Sequence, residues 1–195
     1  MNSFDEQYFK TINYTNYLDR EHRYIKLANE LFTYLKTIKF ITDTTTFIDY
    51  GAGVGFLTNS IRKMGYACDS YDISEWAIKY GYEKYGIEYI SYQHKKYDVM
   101  IALDVFEHMT DTQIVDVFNT FKSDYLIIRI PCSSNGIDFH LDVSKKDPTH
   151  INCKTKLEWQ SFFIKNDFNQ IQTLNLYTVF DSEGVMCSIF KKQQQ

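Results

Sequence analysis

The residues that could do chemistry in this chain fall into three groups. The first is a glycine turn, Gly51, Gly53 and Gly55, inside F-I-D-Y-G-A-G-V-G-F-L-T from Phe47. A strand that runs into such a turn and then a helix brings bare backbone amides up to a ligand, where side chains would block the approach. The helix N-terminus adds partial positive charge there. The second group is a pair of carboxylates flanking the turn. Asp49 lies two residues before Gly51, and Asp72 follows about twenty residues after the turn, at the end of the next strand. In a nucleotide-binding crossover that second position faces the ribose and accepts from both hydroxyls. The third group is acceptor-side. Asp104, Glu107 and His108 follow a buried strand, at the edge where open α/β sheets place ligands. His150 stands in a long loop with His140, Asp138, Asp142 and Asp147. An imidazole titrates near neutral pH and takes a proton from a hydroxyl or amine, which makes His150 the leading base and His108 the second.

Each residue also has a plainer role. The glycines could serve only the turn, and Asp49, Asp104 and His108 could cap helices. Glu107 reads as structural, hydrogen-bonded to a neighbouring loop. The His and Asp residues of the long loop form an oxygen-rich mixture common by chance in polar loops, so no metal is expected. The dinucleotide fingerprint G-x-G-x-x-G would need glycine where Phe56 stands, which weakens a pyrophosphate ligand while leaving a ribose-bearing cofactor.

The elements that must position these groups follow from periodicity. Apolar residues recur at helical spacing from Tyr17 to Lys39, and Thr42–Thr46 is a connector. Strands are expected over Phe47–Tyr50, Ala67–Tyr71, Ile87–Ser91, Tyr97–Leu103 and Tyr125–Ile130. The last two are apolar runs suited to strands buried on both faces. Helices are expected over Phe56–Met64, Glu75–Lys84 and Asp111–Phe121. Pro131–Lys154 is irregular and long enough to be functional. Thr155 and Glu158 form a capping box for a helix to Ile164. Gln170–Val179 and Val185–Phe190 close the chain as an antiparallel hairpin, and K-K-Q-Q-Q reads as a frayed tail. Alternation of strand and helix through five strands means an α/β, doubly wound, mostly parallel sheet.

At 195 residues, without a repeat or a Gly/Ser linker, the chain reads as one domain: an N-terminal helical segment over 1–45 and a core over 46–190. The net charge of −4 argues against nucleic acid as partner, and the apolar fraction of 44% contains no run long enough to span a membrane. Four scattered cysteines without a C-x-x-C pair give neither a zinc site nor a disulfide framework, and the acidic, polar N-terminus is unlike a secretory signal. A cytoplasmic protein is expected.

Three motifs together resemble the class I S-adenosylmethionine-dependent methyltransferases: F-I-D-Y-G-A-G-V-G, S-Y-D-I-S around Asp72, and Y-D-V-M-I-A-L-D-V-F-E-H-M from Tyr97. A fourth, D-P-T-H-I from Asp147, is similar to a stretch in some small-molecule and sugar methyltransferases. The resemblance implies a Rossmann-like, seven-stranded sheet with its last strand inserted antiparallel. It implies that Asp49 and Gly51–Gly55 border the methionine and ribose of S-adenosylmethionine, that Asp72 holds the ribose hydroxyls, and that Asp104 lies near the methionine amino group. Tyr14, Tyr17 and the Pro131–Lys154 loop would cover the cofactor. Ser91–Lys96, where the family often carries a carboxylate for adenine, has none. Cys132 stands where some RNA cytosine methyltransferases keep a nucleophile, but the second cysteine of their pattern is missing. No N-P-P-Y or D-P-P-Y follows the fourth strand. The implied activity is methyl transfer to O or N of a small polar acceptor, such as a sugar or sugar nucleotide. Protein or nucleic acid as acceptor, or a catalytically silent binding module, are the alternatives.

Overall fold

The structure is a computed structural model and describes residues 4–12, 17–91 and 95–193. It divides into two compact units, residues 1–91 with 176–178, and residues 92–175 with 179–195.

In the first unit, a π-helical turn over Tyr8–Ile12 and a 3-10 turn over Tyr17–Arg20 lead into α1, Glu21–Thr37. Leu27, Ala28, Leu31, Phe32 and Leu35 form its buried stripe, the i, i+3, i+4 pattern of an amphipathic helix. Phe32 packs on Phe47 of β1, Thr46–Tyr50, with ring centroids 5.0 Å apart. Chain reversal through Gly51–Gly55 delivers α2, Phe56–Lys63, and then β2, Ala67–Tyr71, which pairs parallel with β1. The last helix here is α3, Glu75–Tyr85, capped by the Ser74 hydroxyl, which accepts the Ala77 N–H, and ended by Gly86 in the left-handed region.

The expected strand at Ile87–Ser91 is a single bridge between Ser70 and Tyr89. Its chain instead turns the Tyr89 ring inward, where the absent side chains of Gly55 and Gly81 leave room: a Cβ at Gly81 would lie 2.3 Å from the Tyr89 Oη. The described residues therefore carry six strands, and the seventh of the sequence reading is this bridge.

The second unit holds four strands. The first is β3, Lys95–Leu103, which pairs parallel with β4, Phe121–Pro131. Between them runs α4, Asp111–Thr120, begun by a Thr110–Gln113 capping box. The region after β4 contains one short helix, α5, Asp142–Lys145. Then α6, Lys156–Lys165, starts at the expected Thr155–Glu158 box. The closing strands are β5, Phe168–Thr173, and β6, Val185–Lys192. β6 lies between β4 and β5, antiparallel to both, so the last strand is inserted and the hairpin reading holds. The hairpin's first strand is shorter than Gln170–Val179. Lys191 and Lys192, expected in a frayed tail, are paired in β6. Phe106, Phe118, Phe163, Phe168 and Phe190 form an aromatic core beside Trp159. The architecture is an α/β sheet fold, mostly parallel, closed by an antiparallel hairpin.

Candidate active site

The glycine turn is built from backbone that only glycine adopts readily. Gly51, Gly53 and Gly55 have φ of 76°, 53° and 81°. Its amides, however, are already used. The Gly51 and Ala52 N–H groups both donate to the Tyr71 carbonyl, at 2.9 and 3.0 Å, and Gly55 N–H donates to Ala52 O at 2.9 Å. Gly53 N–H donates to Asp72 Oδ2 at 2.6 Å. The expectation of bare amides facing a ligand is therefore corrected for these four: the turn is tied off by its own neighbours.

Asp72 is half-buried, and its other oxygen accepts the Ser74 N–H at 2.8 Å. Each carboxylate oxygen keeps a second lone pair for a hydroxyl donor. Burial pushes this carboxyl above its ordinary range. Asp49 is buried on β1, and its Oδ2 accepts the Thr58 hydroxyl at 2.7 Å, while the Ser70 hydroxyl donates to Thr58 Oγ1 at 3.1 Å. Burial raises Asp49 to about 7, with Asp72 adding repulsion.

The N-terminal segment lies on this turn. The Tyr17 hydroxyl is 3.0 Å from where a Gly53 Cβ would stand, and the Phe9 ring is 3.5 Å away. Phe9 in turn stacks on Trp76 and Tyr17 on Phe56. This aromatic cluster accounts for part of the Tyr and Phe content, and the N-terminus showed no period because its rings pack on several sides. Tyr14, expected beside Tyr17, lies outside the described residues, as do residues 92–94 of the adenine stretch.

In the second unit, Asp104 follows β3 with φ 56°, left-handed backbone that aspartate tolerates better than most residues. Its carboxylate accepts Arg129 Nε at 2.9 and 3.0 Å and a further, closer bond from the Arg129 NH2 group. Parallel pairing sets this up by placing Leu103 opposite Arg129. The sequence reading had no partner for Asp104.

A 3-10 turn over Phe106–His108 then carries Glu107 and His108. The distant loop is stitched onto it. Ile151 and Asn152 N–H donate to the Glu107 carbonyl at 2.9 and 3.0 Å, and Asn152 Nδ2 donates to Met109 O at 2.8 Å. That stitching sets the His150 ring 4.6 Å from the His108 ring, so the two predicted catalytic histidines come together. Glu107 is hydrogen-bonded to the neighbouring loop, as expected. Its backbone bonds to the loop, but both carboxylate oxygens are buried without a hydrogen-bond partner. Burial, then the charge of Asp104, drives its carboxyl well above the ordinary range. Burial and the neighbouring His150 push His108 down to about 4, and burial lowers His150 as well. The two imidazoles are therefore neutral at physiological pH.

His140 is set apart from this pair, bonded to the Ser134 hydroxyl at 2.6 Å. Cys132 is buried with its thiol pushed up to about 12 by burial, the opposite of an activated nucleophile. Among the described residues no helix is long and apolar enough to cross a membrane.

The model of the methyltransferase domain family matches residues 16–173. The chain belongs to this family and is an enzyme of the class I, S-adenosylmethionine-dependent kind. No curated protein matches it. Among solved structures it is similar to magnesium protoporphyrin IX methyltransferase of Synechocystis PCC 6803 with bound S-adenosylhomocysteine, at 16% identity and TM-score 0.65, covering 91% of this chain and 88% of that one. The same enzyme with bound S-adenosylmethionine gives 15% and 0.62, over 89% and 80%. A methyltransferase from Archaeoglobus fulgidus gives 15% and 0.63, over 95% and 98%. These likenesses share the fold. The four spent amides of the turn offer no cluster of donors to a pyrophosphate, and Asp72 keeps acceptor capacity for a further donor.

Proposed function

We propose that the enzyme methylates an oxygen or nitrogen of a small polar acceptor, with sugars and sugar nucleotides the first to test. The observation that carries this reading is the pair of neutral, buried imidazoles, His108 and His150, with side chains only 9% and 8% exposed. Neutral imidazoles can receive a proton or hold a hydroxyl, and so little exposed surface favours a small group over a large one. When bound, S-adenosylmethionine supplies an electrophilic methyl group on a sulfonium. The residues we assign to holding it are Asp49, Gly51, Gly53, Gly55 and Asp72, with Asp104 for its amino group. Their contribution is alignment, which is the main gain available in a displacement of this kind. His150 is the leading proton acceptor and His108 its partner. The family match runs through both units, which supports treating residues 1–195 as a single methyltransferase domain, and free thiols at all four cysteines suit the cytoplasm.

The test is transfer of labelled methyl groups from S-adenosylmethionine to sugars and sugar nucleotides, with RNA and protein extracts in parallel. Label should enter a small acceptor, and His150→Ala should slow transfer about 100-fold. Label found only in macromolecules would replace this reading with the protein or nucleic-acid alternative. Tight S-adenosylhomocysteine binding with no transfer to any pool would indicate a silent module.

A further inference from the structure

We propose that Glu107, His108 and His150 form a binding site for one divalent transition-metal ion, of the Zn2+ or Mn2+ kind. The three side chains each present one ligand atom, and these atoms lie within 4.8 Å of one another. His108 Nε2 is 3.8 Å and His150 Nε2 3.9 Å from Glu107 Oε1. Both separations are too long for hydrogen bonds. Ligand atoms bound to one ion at about 2.1 Å stand roughly 3.0–3.4 Å apart. Closing the two Glu107–histidine separations to that span takes shifts of about half an ångström, and a separation at the 4.8 Å limit takes more than one.

Two further observations point to a ligand in that gap. The Glu107 side chain is 0% exposed, and neither oxygen has a hydrogen-bond partner. A buried carboxylate without a partner costs several kcal/mol, and native structures meet that cost with a cation, a proton or water. Arg129, the cation bonded nearby, is engaged by Asp104. The second observation concerns the proton on His108. Its Nδ1 faces the Thr149 carbonyl at 3.2 Å and the Thr149 hydroxyl at 2.9 Å. The hydroxyl hydrogen is committed to Asp147 Oδ1 at 2.5 Å, so both groups near Nδ1 act as acceptors. Nδ1 therefore carries the hydrogen, and the lone pair of the neutral ring is on Nε2, the atom nearest Glu107. A backbone carbonyl that accepts the far N–H of an imidazole, as Thr149 O does here, is an outer arrangement that orients metal-binding histidines. Asp147 Oδ2 also stands 3.5 Å from His150 Nε2, adding negative charge beside the set.

Two imidazoles with one carboxylate suit Zn2+ or Mn2+ better than Mg2+ or Ca2+, which prefer all-oxygen shells. Three protein ligands leave coordination positions open. An ion there would take an acceptor through its oxygens, so the favoured acceptor carries a hydroxyl or a pair of neighbouring hydroxyls. That last step keeps the methyl transfer and the small acceptor proposed above but replaces their proton acceptor, because an ion held by His108 Nε2 and His150 Nε2 takes up the lone pairs that role needs; the binding of the ion rests on neither.

The experiment is calorimetric titration of chelator-treated, full-length protein with Zn2+, Mn2+ and Mg2+, with Co2+ absorption as a second readout and no acceptor present. One Zn2+ or Mn2+ should bind per chain in preference to Mg2+. Glu107→Gln and His150→Gln should each weaken binding by about 100-fold while leaving S-adenosylhomocysteine affinity within twofold. Circular dichroism checks that the variants fold; the wild-type titration stands without them. No saturable uptake by the wild type, a preference for Mg2+, or affinity indifferent to both substitutions would overturn the site and leave the gap to water. A protein that binds the ion but methylates no hydroxyl compound would refute the acceptor reading alone.

Discussion

Asp49→Asn should make the cofactor-free protein more stable, by a margin that widens from pH 5 to pH 8.5. Asp49 is 4% exposed, and its one side-chain donor is the Thr58 hydroxyl. Burial lifts it from an ordinary 3.8 to about 7. Between those two values the native state holds a proton that the unfolded chain has released. Stability therefore falls as pH rises through this window, and the loss is complete above pH 7. A gap of about three pK units at 1.36 kcal/mol each gives about 4 kcal/mol. Asparagine carries no charge to bury and its amide oxygen can still accept from Thr58, so the variant escapes this loss. Urea unfolding of both proteins at pH 5, 6, 7 and 8.5 measures the difference, in which the other titrating groups largely cancel. The stability gap should open from about 2 kcal/mol at pH 5 to about 4 at pH 8.5. A gap that stays constant with pH, or closes on the alkaline side, would refute the reasoning.

Two further substitutions probe the turn. Asp72→Ala removes both the proposed ribose acceptor and the anchor of Gly53 N–H, and should weaken S-adenosylhomocysteine binding at least tenfold by calorimetry; unchanged affinity would remove Asp72 from the site. Gly55→Ala places a methyl 2.4 Å from Ile87 Cδ1 at φ +81° and should lower stability by about 2 kcal/mol or more in urea unfolding.

How much was legible in the sequence depended on whether the signal was local. The glycine turn, the Thr155–Glu158 box and the apolar run of β3 were readable because each depends on neighbours in the chain. Ile87–Ser91 misled because its residues suit a strand, while the space that draws Tyr89 inward comes from Gly55 and Gly81 elsewhere. The Asp104–Arg129 pair needed the β3–β4 register, which no local pattern contains. Gly51 and Ala52 seemed to offer free amides because their common acceptor, Tyr71 O, belongs to a different strand. The meeting of His108 and His150 was similarly hidden: two loop residues more than forty positions apart are joined by backbone bonds to the Glu107 carbonyl. Glu107 was read correctly as tied to a loop, but the tie runs through its backbone, and that left its carboxylate unexplained.

The seating of Tyr89 has an evolutionary consequence. Its ring fills space left by two glycines on separate elements, and its hydroxyl donates to Gly53 O at 2.8 Å. A larger residue at Gly81 is incompatible with this tyrosine, although helical backbone there accepts one readily. Loss of the tyrosine alone would open a void against the glycine turn. The two positions are thus epistatic: either change is harmful first and tolerable second. Lineages that drift elsewhere on the surface would be expected to keep this glycine and this tyrosine as a pair, or to have replaced both.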